Sequence, residues 1–154
     1  MNSDKKYILS LDLGSRAAGA VLFNRQGQVV RQLQKEYEKY YPQPGWIEVD
    51  PNEIWYTMLS VMEELVAPAG IRASEIAGIG IANQRETTVI WDRGTGEPVY
   101  NAIPWQDRRT SKLVDEFRYQ GFSGLVQRKT GLILDAYFSA SKISWILDHV
   151  RDER

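Results

Sequence analysis

The connections between the first three apolar runs are too short for anything but a meander, and this restricts the fold more than any other feature of the chain. Tyr7 to Leu13 reads as a buried strand ending at Gly14-Ser15, Ala18 to Asn24 as a second, and Gln28 to about Tyr37 as a third. Arg25-Gln26-Gly27 supplies the turn chemistry between the second and third. A parallel crossover needs about a dozen residues or more, so these strands are expected to run antiparallel. Pro42-Gln43-Pro44-Gly45 then breaks the chain, because two prolines and a glycine cannot sit inside a ladder. Asp50-Pro51-Asn52-Glu53 starts a helix, with an acid at the N-cap, proline at the first helical position and an acid in the first turn. Ile54, Met58, Val61, Met62 and Leu65 follow at helical spacing, and Pro68-Ala69-Gly70 ends the helix. Ile76 to Ala82 reads as a fourth strand whose glycines imply close packing.

Further along, Thr87 to Trp91 and Pro98 to Ile103 flank Asp92-Arg93-Gly94-Thr95-Gly96 and are expected to form a hairpin. Helices are expected over Ser111 to Tyr119, near Leu125, and over Ser139 to Val150, the last burying Ile143, Ile146, Leu147 and Val150. That helix runs into Arg151-Asp152-Glu153-Arg154 without a capping glycine, so the expectation is a chain that stops inside a larger protein.

Composition narrows the function classes. The chain has 154 residues, enough for one domain with its own core. A net charge of −1 gives no footprint for a nucleic-acid backbone or an anionic membrane. Cysteine is absent, which excludes disulfide and thiol chemistry and agrees with a reducing cytoplasm, and a single histidine, His149, argues against zinc. Met1-Asn2-Ser3-Asp4-Lys5-Lys6 precedes an apolar run that Asp12 interrupts, so no signal peptide or membrane span is read here. A cytoplasmic protein is expected.

Two stretches carry chemistry. Leu11-Asp12-Leu13-Gly14-Ser15 joins the first strand to the turn before the second. A carboxylate at a strand end can orient a hydrated magnesium ion, and a glycine lets backbone N–H groups approach a phosphate. An ordinary hairpin with an N-terminal acid has the same appearance. In Ile81-Ala82-Asn83-Gln84-Arg85-Glu86-Thr87-Thr88 a strand runs into two adjacent opposite charges. Arg85 offers planar donors and Glu86 paired acceptors, a set able to bind vicinal hydroxyls, each of which both donates and accepts. The bland alternative is an exposed ion pair worth under about 1 kcal/mol.

Asn83-Gln84-Arg85-Glu86-Thr87-Thr88 resembles, at every position, the signature of glycerol kinases within the carbohydrate kinase family. Tyr100-Asn101-Ala102-Ile103-Pro104-Trp105-Gln106-Asp107-Arg108-Arg109-Thr110 also resembles that family, with Pro104 where a β-branched residue is more usual. Thr130-Gly131-Leu132-Ile133-Leu134-Asp135-Ala136-Tyr137-Phe138-Ser139 is similar to its Thr-Gly-Leu-x-x-Asp-Pro-Tyr-Phe-Ser, with Ala136 in place of proline. The segment from Tyr41 to Pro51 is similar as well, in a part that serves packing. The resemblance implies substrate contacts from Arg85, Glu86, Trp105 and Tyr137. Arg85 and Glu86 would bind the hydroxyls of glycerol or a close polyol, Trp105 would pack on its carbons, and Tyr137 would offer a hydroxyl.

The phosphate loop resembles Asp-Gln-Gly-Thr-Thr-Ser-Ser-Arg at Asp12, Gly14 and, conservatively, Ser15, which implies ATP and Mg²⁺ as cofactors, with Asp12 toward the metal. The family arginine is replaced by Gly19, and Arg16 restores a guanidinium three positions earlier. The fold implied is mixed α/β, the ribonuclease H-like sheet of actin-like ATPases, in which an antiparallel three-strand meander precedes a crossover helix. The activity implied is ATP-dependent phosphorylation of glycerol by a longer kinase. Residues 1–154 would be its N-terminal, substrate-binding domain, with the catalytic base and the adenosine-binding C-terminal domain beyond them. No residue of this chain is therefore assigned as catalytic, and a homo-oligomer is left open. The competing expectation is a non-catalytic polyol-binding or interaction domain derived from such a kinase, suggested by the altered loop. A ribonuclease H-like nuclease would need clustered acids on a basic surface, which this composition opposes.

Overall fold

The computed structural model describes residues 5–150; the readings made above for Met1–Asp4 and for Arg151–Arg154 lie outside them. The described chain divides into two compact units that interleave in sequence. One draws on residues up to Glu38 and on Asn52–Gln84, the other on Lys39–Pro51 and on residues from Arg85 onward.

The first unit is a four-stranded mixed sheet with one helix. β1 (Tyr7–Leu13), β2 (Ala17–Phe23) and β3 (Val29–Glu36) form the antiparallel meander, with Leu11 opposite Ala20 and Ala20 opposite Leu33. The sheet order is β3-β2-β1-β4, and β4 (Ile76–Ala82) lies parallel to β1 with Asp12 opposite Ala82. A parallel neighbour needs a long connection, and α1 (Pro51–Val66) supplies it. Its apolar stripe, Met58, Val61 and Leu65, packs on Leu9, Leu11, Ala18, Ala20 and Leu22 from the sheet. Gly70 closes the following turn at φ +63°, donating its N–H to the Ala67 carbonyl, a conformation that glycine adopts without a Cβ penalty. Glu75, buried just before β4, accepts from Lys6 Nζ at 2.7 Å and from the Arg72 N–H at 3.1 Å. The outer strand is the exception to this packing: Ile79 and Ile81 of β4 are 57% and 68% exposed.

The second unit is built from loops, isolated bridges and three helices: α2 (Ser111–Tyr119), α3 (Ser123–Thr130) and α4 (Ser139–His149). The expected hairpin is reduced to bridges. Trp91 pairs with Pro98 and Thr88 with Ile103, so two steps on one side answer four on the other between Ile90–Val99 and Thr88–Ile103. The surplus is absorbed because Ala102 turns away to pair with Val49, and Pro98 and Pro104 lack the N–H a ladder needs. The tip does form as expected: Asp92 Oδ1 accepts from the N–H groups of Gly94 and Thr95 at 2.9 Å each. The buried face of α4 also differs from the sequence reading. Ile143 and Leu147 are 40% and 46% exposed, while Lys142 and Ile146 are fully buried. A lysine occupies the core-facing row because its ammonium finds carbonyl partners there, described below. Among the described residues no helix is long and apolar enough to cross a membrane.

Candidate functional site

The phosphate-loop candidates sit in the first unit. Asp12 is exposed near the end of β1, and with Gly14, Ser15, Arg16 and Gly19 it lines an open concavity of about 690 Å³. The turn is fixed from beneath by Tyr37, which follows β3. Its N–H donates to the Arg16 carbonyl at 3.3 Å, its buried hydroxyl donates to the Gly14 carbonyl, and Gln84 Nε2 donates back to that hydroxyl at 2.7 Å. Burial pushes the Tyr37 hydroxyl up to about 12, partly offset by the Gln84 bond, so it stays protonated as a donor. A Cβ at Gly14 would stand 3.3 Å from the Ala17 carbonyl oxygen, tighter than a side chain normally tolerates. Ala17 and Ala18 are buried in β2 and give the concavity no hydroxyl. Arg16 is exposed and lines the same concavity as Asp12, so a guanidinium remains available at this edge.

The polyol candidates sit in the second unit. Glu86 has φ +66°, the only positive φ at a non-glycine position among the described residues. A glutamate in this left-handed region costs about 1–2 kcal/mol, so the surroundings must hold it there. They do so from both ends of the residue. Its carboxylate Oε2 accepts from the Ser139 N–H at 2.9 Å and from Ser139 Oγ at 2.8 Å. This places a negative charge at the first turn of α4, whose own N-cap residue, Phe138, makes no side-chain cap. Its carbonyl accepts from Lys142 Nζ at 2.6 Å, and the same ammonium donates to the Tyr137 carbonyl at 2.7 Å.

Tyr137 is aimed by a turn that Asp135 closes: Asp135 Oδ1 accepts from the Tyr137 N–H at 2.8 Å. That backbone bond holds the Asp135 carboxyl below its usual range, with Arg108 and Arg118 adding to it. The half-buried rings of Trp105 and Tyr137 stand 5.6 Å apart and tilted by 52°. Glu86, Trp105 and Tyr137 are thus linked by a chain of direct contacts through Lys142 and Ser139. Arg85 is exposed next to Glu86, and among the described residues it forms no ion pair with that carboxylate, so the two charges are not consumed by each other. The arrangement offers a carboxylate, an exposed guanidinium, a phenol and an aromatic face, which together suit a small polyhydroxylated molecule.

Two parts of this unit were not legible in the sequence. Lys142 was hidden because a lysine in a helical row is normally read as a solvated position. The other is the buried cluster around Arg109. Arg109, with no exposed side-chain surface, lies between the Trp46 and Trp145 rings at 4.1 and 4.5 Å and pairs with Asp107 at 3.0 Å and Glu48 at 3.0 Å. Burial pushes Glu48 up, but donation from Tyr100, Asn101 and Arg109 outweighs it and holds the carboxyl below its ordinary value. The three tryptophan and arginine positions are far apart in the chain, which is why no local pattern reveals them.

A four-stranded mixed sheet with an antiparallel meander and a crossover helix places the chain in the mixed α/β class of actin-like ATPase folds. Residues 7–154 match the FGGY family of carbohydrate kinases, N-terminal domain, and the chain belongs to that family. It is 56% identical over 154 residues to a glycerol kinase of Parabacteroides distasonis, covering 100% of this chain and 31% of that relative. In structure it is similar to the glycerol kinase of Plasmodium falciparum solved with ADP, at a TM-score of 0.84 and 34% identity, covering 96% of this chain and 30% of the other. It is also similar to a gluconate kinase from Lactobacillus acidophilus, at a TM-score of 0.83 and 25% identity, over 93% and 28% of the two chains. The chain therefore spans about a third of the length of its relatives.

Proposed function

We propose that this chain supplies the polyol grip and part of the phosphate grip of an ATP-dependent kinase that converts glycerol to glycerol 3-phosphate. The observation that carries the reading is the cluster at Glu86. A motif that resembles the glycerol kinase signature at all six positions also has its Glu86 carboxylate bonded to Ser139 and its Glu86 carbonyl tied through Lys142 to Tyr137, whose ring meets Trp105. Arg85 and Glu86 would pair the hydroxyls of glycerol or a close polyol, Trp105 would cover its carbons, and Tyr137 would add a hydroxyl. A site that hydrogen-bonds specific hydroxyls rejects analogues lacking one, since a buried polar group is then left unpaired.

The loop fits a magnesium nucleotide. Asp12 is exposed in a concavity with Ser15 and Arg16, and hydrated Mg²⁺ needs only one or two carboxylates. When bound, the magnesium nucleotide supplies the phosphoryl group and offsets its charge. Gly14 allows close backbone approach, Tyr37 keeps the turn in place, and Arg16 would offer donors to the phosphates. The proposal includes a cytoplasmic setting and further residues carrying the base and the adenosine pocket. The similarity to a gluconate kinase leaves the choice of polyol to the side chains of the site and not to the fold.

Calorimetry of the purified chain with glycerol, then with ATP and Mg²⁺, tests both grips. Glycerol binding that disappears in Glu86→Gln and Trp105→Ala, with no glycerol-dependent ADP release by the chain alone, is the expected result. A chain that ignores glycerol, or variants that bind it as well as the parent, would overturn the substrate assignment.

A further inference from the structure

Lys142 has no surface exposed to solvent, yet it carries an ammonium group inside the second unit. Among the described residues its Nζ donates to two carbonyls, those of Glu86 and Tyr137, which lie 51 positions apart in sequence. Glu86 is the residue held at φ +66°, and Tyr137 is the residue whose ring meets Trp105. An isolated buried carbonyl could be satisfied by a hydroxyl. Two carbonyls from separate segments, one of them on strained backbone, need a donor that reaches both at once, and lysine brings three protons on a compact head at the end of a long stem.

We propose that Lys142 is the positioning residue of the polyol site, its buried ammonium tying the Glu86 and Tyr137 backbones together so that carboxylate, phenol and Trp105 ring keep one spacing. Lys142 touches no substrate in this scheme. It acts through the two residues whose main chains it holds, and so the proposal rests on the polyol reading given above.

The surroundings make the device sensitive to pH. Burial drives Lys142 down to about 8, while the charges of Glu86 and Asp107 draw it up and that of Arg108 pushes it further down. Above about pH 8 the amine is neutral, and its bonds to the two carbonyls lose their charge assistance. Stability responds with the opposite sign. Between about pH 8 and 10.5 an unfolded chain still binds the proton that the folded one has released, so the Lys142 contribution to stability rises with pH across that window. A lysine that merely fills the core would leave glycerol affinity level or let it follow stability; a positioning lysine makes the two diverge.

The test is a glycerol titration of this chain followed by the amide resonances of Glu86, Tyr137 and Ser139, at intervals from pH 7 to 9.5, in the parent and in Lys142→Met. The parent should lose affinity across about pH 8 while its thermal midpoint does not fall. Lys142→Met, of similar length and without charge, should bind glycerol about fivefold to tenfold more weakly at pH 7 and show no step at pH 8. Equal affinity in parent and variant, or a parent whose affinity is level across the range, overturns the role of Lys142 while leaving the polyol site standing. If Lys142→Met does not fold, the parent's pH series decides alone. A parent that binds no glycerol at any pH removes both proposals.

Discussion

Arg109 shows what a single side chain can do in a unit with little regular structure. Its guanidinium stacks between Trp46 and Trp145 and meets Asp107 and Glu48, and Lys could reproduce neither the stacking nor the fork. Replacing it leaves two buried carboxylates short of a partner, which is the expensive way to break such a pair. Arg109→Met is expected to destabilise the chain by about 3–5 kcal/mol in urea unfolding, the range for a broken buried pair. A loss below about 1 kcal/mol would show that the aromatic packing carries the cluster without the charge. The sequence displayed Arg85, Glu86, Trp105 and Tyr137 because a contiguous motif marked each one. It concealed Arg109 and Lys142, whose partners become neighbours only when distant segments meet.

Regular elements were legible to within a residue or so where local chemistry and packing agreed. The meander followed from apolar runs and glycine turns, and α1 began at Pro51 as its start signal required. The segment from Thr87 to Ile103 was less legible because alternation predicts strands, while two prolines and the competing bridge from Val49 dissolve the ladder. Ahead of β4, Glu75 ties the strand to the N-terminal segment through Lys6. Donation from Lys6, then from the Arg72 backbone, holds the Glu75 carboxyl at about 2. A carboxyl lowered on folding adds stability that is complete above about pH 4.5 and lost as the pH falls toward 2. Acid unfolding of the parent and of Glu75→Gln should therefore differ at pH 6 and converge by about pH 2. Parallel curves over that range would mean the pair contributes nothing to the fold.

Taken as a whole molecule, the described chain leaves β4 with an unpaired outer edge and with Ile79 and Ile81 in solvent. A hydrophobic edge of this kind is a site of unwanted pairing between chains. Ile79→Lys with Ile81→Lys is expected to raise the concentration at which the isolated chain stays monomeric in sedimentation, by several-fold, without loss of helical signal. An unchanged threshold would show that this edge does not drive association.

The parallel pairing of β1 with β4 also sets an order for synthesis. The meander can close as soon as Glu36 emerges, but the free side of β1 waits for a strand that ends at Ala82. At a translation speed of about 5–20 residues per second, that wait lasts a few seconds. During it a nascent chain holds an open sheet whose only cover is a helix still being extruded. Slowing the ribosome between Pro51 and Ile76 would lengthen this exposure, and codon choice in that stretch becomes a determinant of yield.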